Sequence, residues 1–149
     1  MAGQGGLERS FMSGEFVDAN IVVYAHDQTA GTKQARARDL LVRLTDARTG
    51  RLSVQVLQEF YWIVTRKVPT PLKPETALEV VEDLSEWPVF SPASQHVVQA
   101  ALLGKERAIT FWDAMIVTAA IESGADTLWS EDLGDGARYE GVTVRNPFA

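Results

Sequence analysis

The 149-residue chain contains no cysteine at all. This excludes disulfide bonds and zinc sites with cysteine ligands, and it favours a reducing cytoplasm. Only two histidines occur, His26 and His96, and we expect both to be structural or surface residues because they lie far apart in the sequence. No apolar run approaches the roughly 18 residues that a membrane span requires, so we predict a protein that does not enter the membrane.

The first 14 residues are rich in glycine and lack the apolar stretch of a signal peptide. We expect them to be a disordered leader or a remnant of expression, followed by a single domain over residues 15–149. With 46% hydrophobic residues, a chain of this length can bury a core of its own. No repeat or internal linker divides it.

Net positive charge is also lacking, since the chain carries a net charge of −6. A nucleic-acid partner normally requires a basic surface, so the total argues against one. The distribution is uneven, however. Six basic residues fall between Lys33 and Arg51 against only Asp39 and Asp46, which gives this segment a local charge of +4. Taken alone, the segment is best explained as a solvated helix face.

Short strand-like segments alternate with longer segments of helical periodicity. Strands are predicted at residues 15–18, 51–54, 88–91, 126–132 and 142–146. Helices are predicted at residues 19–28, 32–49, 55–67, 75–87, 93–108 and 109–124. The alternation indicates an α/β fold, with a central, mainly parallel sheet of about five strands covered by helices on both faces. Sites in such folds lie outside the carboxyl ends of the strands.

Two acidic residues fall at that edge of the predicted sheet. Asp18 ends the first strand and interrupts an apolar segment, where an unpaired carboxylate would be costly to bury. It therefore has a partner, lies at the mouth of the interior, or binds a cation. Asp132 follows the fourth strand, where it is either a site residue or part of a turn. Glu131 or Asp135 could take its place in either role.

Two further acids, Glu59 and Asp113, lie on predicted helices. Glu59 belongs to a narrow polar stripe on an otherwise apolar helix, and this stripe faces either solvent or a polar groove. Asp113 shares a helix face with apolar residues while Thr118 and Glu122 mark the exposed face, so its carboxylate is expected to point inward. The alternative is a capping role, because Thr110 and Asp113 have the spacing of a helix N-terminus.

Carboxylates that converge without compensating lysine or arginine repel one another. Divalent cations such as Mg²⁺ would remove the repulsion, since they prefer oxygen ligands and retain several waters. Paired metal ions can activate a water molecule and stabilise the leaving oxygen during attack on a phosphate. Setting the four acids aside leaves a net charge of −2, so the acidic composition does not exclude an RNA substrate.

In order and spacing, three stretches resemble the motifs of PIN-domain nucleases, and of the VapC-type toxins of bacterial toxin–antitoxin pairs in particular. They are FVDANIVVYAHD, SVQVLQEFYWIVTRK and TFWDAMIVTAAIESGADTLWSEDL. The resemblance extends over about residues 15–148. It implies a PIN-like three-layer α/β/α domain with Mg²⁺- or Mn²⁺-dependent endoribonuclease activity. It also implies a cytoplasmic homodimer that is silenced by a small VapB-like antitoxin protein.

The resemblance also assigns roles to individual residues. The four implied catalytic acids are Asp18, Glu59, Asp113 and Asp132. The implied direct metal ligands are Asp18, Asp113 and Asp132. Glu59 either binds the metal through water or orients the attacking water. Asn20 and Ser130 match supporting polar positions of the family. The implied RNA or antitoxin contacts are Lys33, Arg36, Arg43 and Arg66.

Two other functions compete with this interpretation. Asp18 and Asn20 after a strand weakly resemble the haloacid-dehalogenase-type phosphatases, which use an aspartate nucleophile and a second aspartate two residues later as the acid. Asn20 stands at that second position and cannot supply the proton. The non-enzymatic alternative is a catalytically silent PIN-like module that binds partners without metal-dependent cleavage.

Overall fold

The computed structural model describes residues 13–149, which contain six strands and six helices. The strands are β1 (Gly14–Val17), β2 (Gly50–Ser53), β3 (Val89–Phe90), β4 (Ala125–Trp129), β5 (Arg138–Tyr139) and β6 (Val142–Arg145). The helices are α1 (Ala19–Ala25), α2 (Thr32–Ala47), α3 (Val54–Val64), α4 (Pro74–Leu84), α5 (Ser94–Arg107) and α6 (Phe111–Glu122). Of the predicted leader, residues 1–12 lie outside the described part, and Gly14 is already the first residue of β1.

The strands form one sheet in the order β3-β2-β1-β4-β6-β5. Every neighbouring pair is parallel except β5 and β6. The predicted α/β fold with a mainly parallel sheet is therefore confirmed. Because crossovers between parallel strands are right-handed, the connections that run outward from β1 to β3 place α1–α4 on one face. The connection that returns from β3 to β4 places α5 and α6 on the other face.

The sheet has six strands, whereas the sequence predicts about five. The additional strand, β5, is two residues long and pairs antiparallel with β6. Glu140 and Gly141 join the two strands and both have positive φ, 46° and 86°. Two-residue hairpins of this kind require positive φ at both central positions. A two-residue strand is too short to show the alternating pattern by which strands are predicted.

The central strands are buried on both faces, as parallel strands in a covered sheet are. Phe16 and Val17 of β1, Leu128 of β4 and Val144 of β6 are fully buried. The apolar segment before Asp18 is therefore the centre of the core. Asp18 itself lies where this core meets the carboxyl edge of the sheet.

Helix α6 is more deeply buried than the sequence predicts. Every residue from Ala114 to Ala120 is buried, and Thr118 is 4% exposed. The expectation that Thr118 marks an exposed face is wrong, since α5 packs against α6 and covers it. The direction in which the Asp113 carboxylate points therefore cannot be inferred from Thr118 and has to be judged from the contacts of Asp113 itself.

The two histidines make local contacts and lie on different elements. Nδ1 of His96 accepts a hydrogen bond from the backbone N–H of Ala93 at 2.8 Å, and Nε2 lies 3.3 Å from the carboxylate of Glu122. Nδ1 of His26 lies 2.9 Å from the carbonyl oxygen of Val22. These contacts fit the structural roles expected for both. Among residues 13–149, none of the helices has the length and apolar character needed to cross a membrane.

Candidate active site

Asp18 lies at the carboxyl end of β1 and is the N-cap residue of α1. It is 6% exposed. Its Oδ1 accepts a hydrogen bond from the backbone N–H of Ala19 at 2.7 Å, and its Oδ2 accepts one from the hydroxyl of Ser130 at 2.8 Å. The strand ends one residue earlier than predicted, so Asp18 is a helix cap rather than a strand residue. Its place at the functional edge is unchanged.

The strand order explains why this edge forms a crevice. The chain leaves β1 toward β2 on one side, whereas β4 lies on the other side of β1. In open α/β sheets, ligands bind outside the carboxyl ends of the strands at such a reversal. Asp18 follows β1, and residues 130–132 follow β4, so both segments open into the same crevice.

Ser130 and Asn20 connect the acids of these two segments. Ser130 is fully buried, and besides donating to Asp18 its hydroxyl accepts the backbone N–H of Asp132 at 3.2 Å. Nδ2 of Asn20 lies 3.0 Å from Oδ2 of Asp132 and 3.5 Å from Oδ2 of Asp18. The two polar residues that the sequence analysis names as supporting residues thus link Asp18 and Asp132 in one network.

Glu59 reaches the site from α3. Its Oε1 accepts a hydrogen bond from the side-chain amide of Gln55 at 2.9 Å, and the same amide nitrogen lies 3.2 Å from the carbonyl oxygen of Trp112 in the first turn of α6. The sequence left open whether the polar stripe of this helix faces solvent or a groove. Glu59 lines the pocket described below, and Gln55 bonds to its carboxylate. Gln58 and Arg66, farther round or along the same helix, are exposed.

Asp113 reaches the site from the opposite helical layer. Thr110 is the N-cap residue of α6, and its hydroxyl accepts the backbone N–H of Asp113 at 3.1 Å. The carboxylate of Asp113 makes no hydrogen bond to any residue between 13 and 149, and it lines the pocket described below. Thr110 therefore provides the cap, while Asp113 still lies in the first turn, where the helix dipole favours an anion.

A pocket of about 330 Å³ lies at this edge of the sheet. The four acids singled out by the sequence analysis all line it: Asp18, Glu59, Asp113 and Asp132. Asn20, Tyr24 and a fifth acid, Asp27, line it as well, and Lys67 is the only basic residue among the described lining residues. Residues that are up to 114 positions apart in the sequence therefore form one strongly acidic pocket.

The surroundings of Asp18 favour its protonated form. Burial is the largest effect, and it raises the pKa of Asp18 from 3.8 to about 7. The hydrogen bonds from Ser130 and the Ala19 backbone lower the pKa, whereas the negative charges of Glu59 and Asp132 raise it. The carboxylate thus has hydrogen-bond donors but is close to two like charges. A bound cation would reverse this balance.

The acids beside Asp132 point elsewhere. The side chain of Glu131 bonds to side chains of α1 and α2. Oδ1 of Asp135 accepts the backbone N–H of Asn146 at 2.9 Å. Neither residue is among the described residues that line the pocket. Of the three candidates at this position, the structure brings Asp132 to the site.

Two of the four basic residues named as RNA or antitoxin contacts form ion pairs within the protein. Lys33 pairs with Glu131. Arg43 pairs with Glu15, with Nη2 and Oε1 3.2 Å apart, and Glu15 also accepts a hydrogen bond from the indole N–H of Trp129 at 2.9 Å. Neither basic residue is among the described residues that line the pocket.

The other two basic residues lie on the surface. Nη1 of Arg36 lies 3.4 Å from the carbonyl oxygen of Pro147. The guanidinium of Arg66 lies 4.0 Å from the ring centre of Trp62, which is 53% exposed. Lys67, the next residue, is the one that enters the pocket lining.

Tyr24 and Asp27 are pocket residues that the sequence analysis did not single out. Oδ1 of Asp27 accepts hydrogen bonds from the backbone N–H and the hydroxyl of Thr29 at 2.9 and 2.6 Å. This Asp-x-Thr turn is a common local arrangement after a helix, and it gives no sign of a pocket. The signal that could have found both is their spacing, because Tyr24 and Asp27 follow Asn20 by four and seven residues, which is one face of the helix that the sequence predicts over residues 19–28.

The donor set of the pocket fits a hard divalent cation. It consists of carboxylate and amide oxygens, with no cysteine or histidine among the described lining residues. As they stand, no three acidic, histidine or cysteine side chains within residues 13–149 are placed to hold a metal ion together. Mg²⁺ does not require such a cage, since it keeps several waters and is commonly bound through one or two carboxylates.

Comparison with known proteins gives one family and several solved structures. The family description PIN domain matches residues 16–134. The fold is similar to a toxin–antitoxin complex from Klebsiella pneumoniae (TM-score 0.64, 18% identity, 89% of this chain and 97% of that chain). It is also similar to DNA-bound VapBC from Salmonella typhimurium (0.64, 19%, 91% and 98%) and to VapBC2 from Rickettsia felis bound to a promoter DNA fragment (0.62, 20%, 89% and 97%). No curated protein matches the sequence significantly.

Proposed function

Because this chain belongs to the PIN domain family, we propose that it is a Mg²⁺- or Mn²⁺-dependent endoribonuclease and that it acts as a VapC-type toxin. One observation carries the proposal. Four acids from two strand ends and two opposite helical layers line one pocket, in which Lys67 is the only basic residue among the described lining residues. Such a site is suited to cations and, through them, to a phosphodiester.

In this proposal the carboxylates that would hold the metal are those of Asp18, Asp113 and Asp132. Because no three acids within residues 13–149 are placed to hold an ion together, retained waters would complete its coordination. A bound Mg²⁺ or Mn²⁺ supplies an activated water and charge stabilisation at the leaving oxygen. Glu59 either orients the attacking water or contacts the cation through water. Its own carboxylate is held by Gln55 at 2.9 Å, which fixes the direction in which it can accept a proton or a hydrogen bond.

Ser130 and Asn20 act on the carboxylates rather than on the substrate. Ser130 donates to Asp18 and receives the backbone N–H of Asp132, so it fixes the relative position of the two acids. Asn20 donates toward both carboxylates. Groups that orient metal ligands in this way commonly affect metal affinity or activity by 10- to 100-fold when they are removed.

The direct test is cleavage of RNA by the purified protein. We expect single-stranded or loop RNA to be cut in Mg²⁺ or Mn²⁺, leaving a 5′-phosphate, and we expect EDTA to stop the reaction. The RNA ends are read by sequencing, which also identifies the target. Cleavage that continues undiminished in EDTA would exclude the proposed chemistry. RNA binding without any metal-dependent cleavage would favour the silent interaction module.

An antitoxin protein is the proposed partner. The similar solved structures are toxin–antitoxin or VapBC complexes, and their shared fold supports a partner of this kind. The acidic pocket is complementary to an arginine or lysine side chain, which can bond two carboxylate oxygens at once. Such a side chain would occupy the place of the metal. The basic residues Arg36, Arg43 and Arg66 remain proposed contacts for RNA or for this partner.

We also propose a homodimer in the cytoplasm. Val98 and Leu102 lie one turn apart on α5 and are 60% and 64% exposed, and Trp112 at the start of α6 is 64% exposed. Large apolar side chains that are exposed on a surface, such as the adjacent Val98 and Leu102, commonly mark a protein contact. The predicted RNA substrate and the antitoxin partner are both cytoplasmic molecules.

Expression in bacteria tests the toxin assignment separately from the chemistry. We expect the chain to arrest growth when it is produced alone, and co-expression of the small protein encoded beside it to restore growth. Asp113→Asn should be harmless in the same experiment because it lacks a proposed metal ligand. Normal growth with an intact, RNA-cleaving chain would argue against the toxin role while leaving the nuclease in place.

A further inference from the structure

Glu131 is held at both its backbone and its side chain. Its backbone N–H lies 3.4 Å from Oδ1 of Asn20. One carboxylate oxygen accepts the hydroxyl of Tyr24 at 2.6 Å, and the other pairs with the ammonium of Lys33. These partners come from α1 and α2, so a single side chain ties the segment after β4 to two helices.

Aromatic rings hold the ammonium in place. Nζ of Lys33 lies 4.8 Å from the ring centre of Tyr24 and 5.4 Å from that of Phe148. The two rings pack edge to face with their centres 5.1 Å apart. A cation against aromatic faces is stabilised electrostatically, so Lys33 gains from staying where it is. The set formed by Glu131, Tyr24, Lys33 and Phe148 is called the Glu131 clamp below.

The clamp affects the pocket because Glu131 is adjacent in the sequence to two residues of the site. Glu131 stands between Ser130, which bonds to Asp18, and Asp132, which bonds to Asn20. Neither neighbour can move far while residue 131 is fixed, because consecutive Cα atoms are a constant 3.8 Å apart. Asp132 is itself exposed, so little packing holds its side chain in the pocket.

We propose that Glu131 is a positioning residue of this site, which acts by fixing the segment that carries Ser130 and Asp132. Its effect on RNA cleavage rests on the proposed function, whereas its effect on the segment itself does not. The clamp also assigns a different role to Lys33 from the one that the sequence resemblance implies. Its charge is used within the protein, opposite Glu131, rather than on RNA.

The first test needs neither RNA nor a bound metal. In EDTA, Glu131→Ala should speed amide hydrogen exchange of residues 131–133 at least tenfold, because the N–H of Asp132 is protected by Ser130 only while the segment is fixed. Exchange in α4 and α5 should be unchanged. Glu122→Ala is the matched control, since Glu122 is also a partly exposed glutamate bonded to a neighbouring side chain, but it lies outside the pocket lining. Unchanged exchange at residues 131–133 would overturn the clamp.

The second test measures metal binding without turnover. The Mg²⁺ concentration at half-saturation, measured by titration calorimetry and called the Mg²⁺ midpoint here, should increase 10- to 100-fold in Glu131→Ala, as for the loss of other groups that orient metal ligands. Glu122→Ala should match the wild type. A wild type that shows no response to Mg²⁺ would count against the proposed function, and the exchange experiment would then decide on the clamp alone. A wild type that responds with an unchanged midpoint in Glu131→Ala would overturn the positioning role.

The third test separates the two roles of Lys33. If it belongs to the clamp, Lys33→Met should raise the Mg²⁺ midpoint and lower kcat with little change in KM for RNA. Its effect should not add to that of Glu131→Ala in the double variant, because the two residues act as one unit. If Lys33 contacts RNA, Lys33→Met should raise KM and reduce the salt dependence of binding, leave the Mg²⁺ midpoint unchanged, and add to Glu131→Ala. That second outcome would remove Lys33 from the clamp.

Discussion

Replacing Asp18 by asparagine is expected to lower the rate of RNA cleavage by roughly a thousandfold, since several kcal/mol of charge stabilisation through a metal depend on its ligands. The same change should make the metal-free protein more stable at pH 8. Asparagine has the same shape, and its side-chain oxygen can still accept the backbone N–H of Ala19 as a helix N-cap. The buried charge is lost, and the Ser130 hydroxyl, which donates to Oδ2 of Asp18, can instead accept a hydrogen bond from the new side-chain amide. Lower activity together with higher stability is expected for a site whose buried negative charge is unfavourable unless a cation is bound.

The stability effect has a defined pH dependence. The unfolded chain releases the Asp18 proton near pH 3.8, whereas the folded protein keeps it to a pH of about 7. Because the folded state binds more protons in this interval, the free energy of unfolding of the wild type falls as the pH rises from about 4 to 7 and then stays low. The total fall in the free energy of unfolding is at most about 4 kcal/mol, since each pKa unit corresponds to about 1.4 kcal/mol.

Unfolding by urea at pH 5 and pH 8 in EDTA measures this difference. The gap between Asp18→Asn and the wild type should be smaller at pH 5 than at pH 8, where it should reach several kcal/mol, and it should shrink again when Mg²⁺ is added. Asp46→Asn, a change at an exposed aspartate outside the pocket lining, is the control and should leave the pH profile unchanged. A variant that is less stable than the wild type at pH 8 in EDTA would show that the charge of Asp18 is satisfied without a metal.

The fold was predictable because its signals are local and repeated. Each predicted helix is present with its ends shifted by a few residues, and the family resemblance is confirmed by the match over residues 16–134. The missed strand, β5, is two residues long and depends on a turn at Glu140 and Gly141 rather than on a pattern. The buried state of Thr118 was missed for another reason. Its surroundings are made by α5, a separate helix, which no periodicity within α6 can indicate.

The candidate site was predictable in its members but less so in their partners. The carboxyl ends of parallel strands lie at one edge of a sheet, so Asp18 and Asp132 could be placed at the same edge from the sequence. That β1 and β4 are neighbours is known only from the strand order of the structure. The partner of Lys33 could not, since the Glu131 carboxylate that receives it is 98 residues away and no pattern joins them. The sequence therefore suggested that Lys33, in the basic segment, contacts an external acidic partner such as RNA, although Glu131 of the protein itself is its acidic partner. The same reason hides the pairing of Arg43 with Glu15.

Asp113→Asn is expected to reduce RNA cleavage by orders of magnitude without lowering the stability of the metal-free protein. The helix-cap explanation predicts the reverse. If Asp113 only favours the start of α6, removing its charge should destabilise the protein by roughly 0.3–1 kcal/mol, and Mg²⁺ should affect both proteins little. In the structure Thr110 provides the capping oxygen, and the Asp113 carboxylate has no hydrogen-bond partner among residues 13–149. Asparagine would therefore leave the cap intact.

The sign of the change in melting temperature in EDTA distinguishes the two roles. As part of an acidic pocket, Asp113 adds like-charge repulsion that asparagine relieves, so the variant should melt at the same temperature as the wild type or higher. The gain should be smaller than for Asp18→Asn, because Asp113 is only partly buried. Mg²⁺ should raise the melting temperature of the wild type more than that of the variant, because the native state of the variant has one metal ligand fewer. Asp46→Asn should alter neither cleavage nor the metal response. A variant that is less stable in EDTA and still cuts RNA would show that Asp113 serves the helix start and not the chemistry.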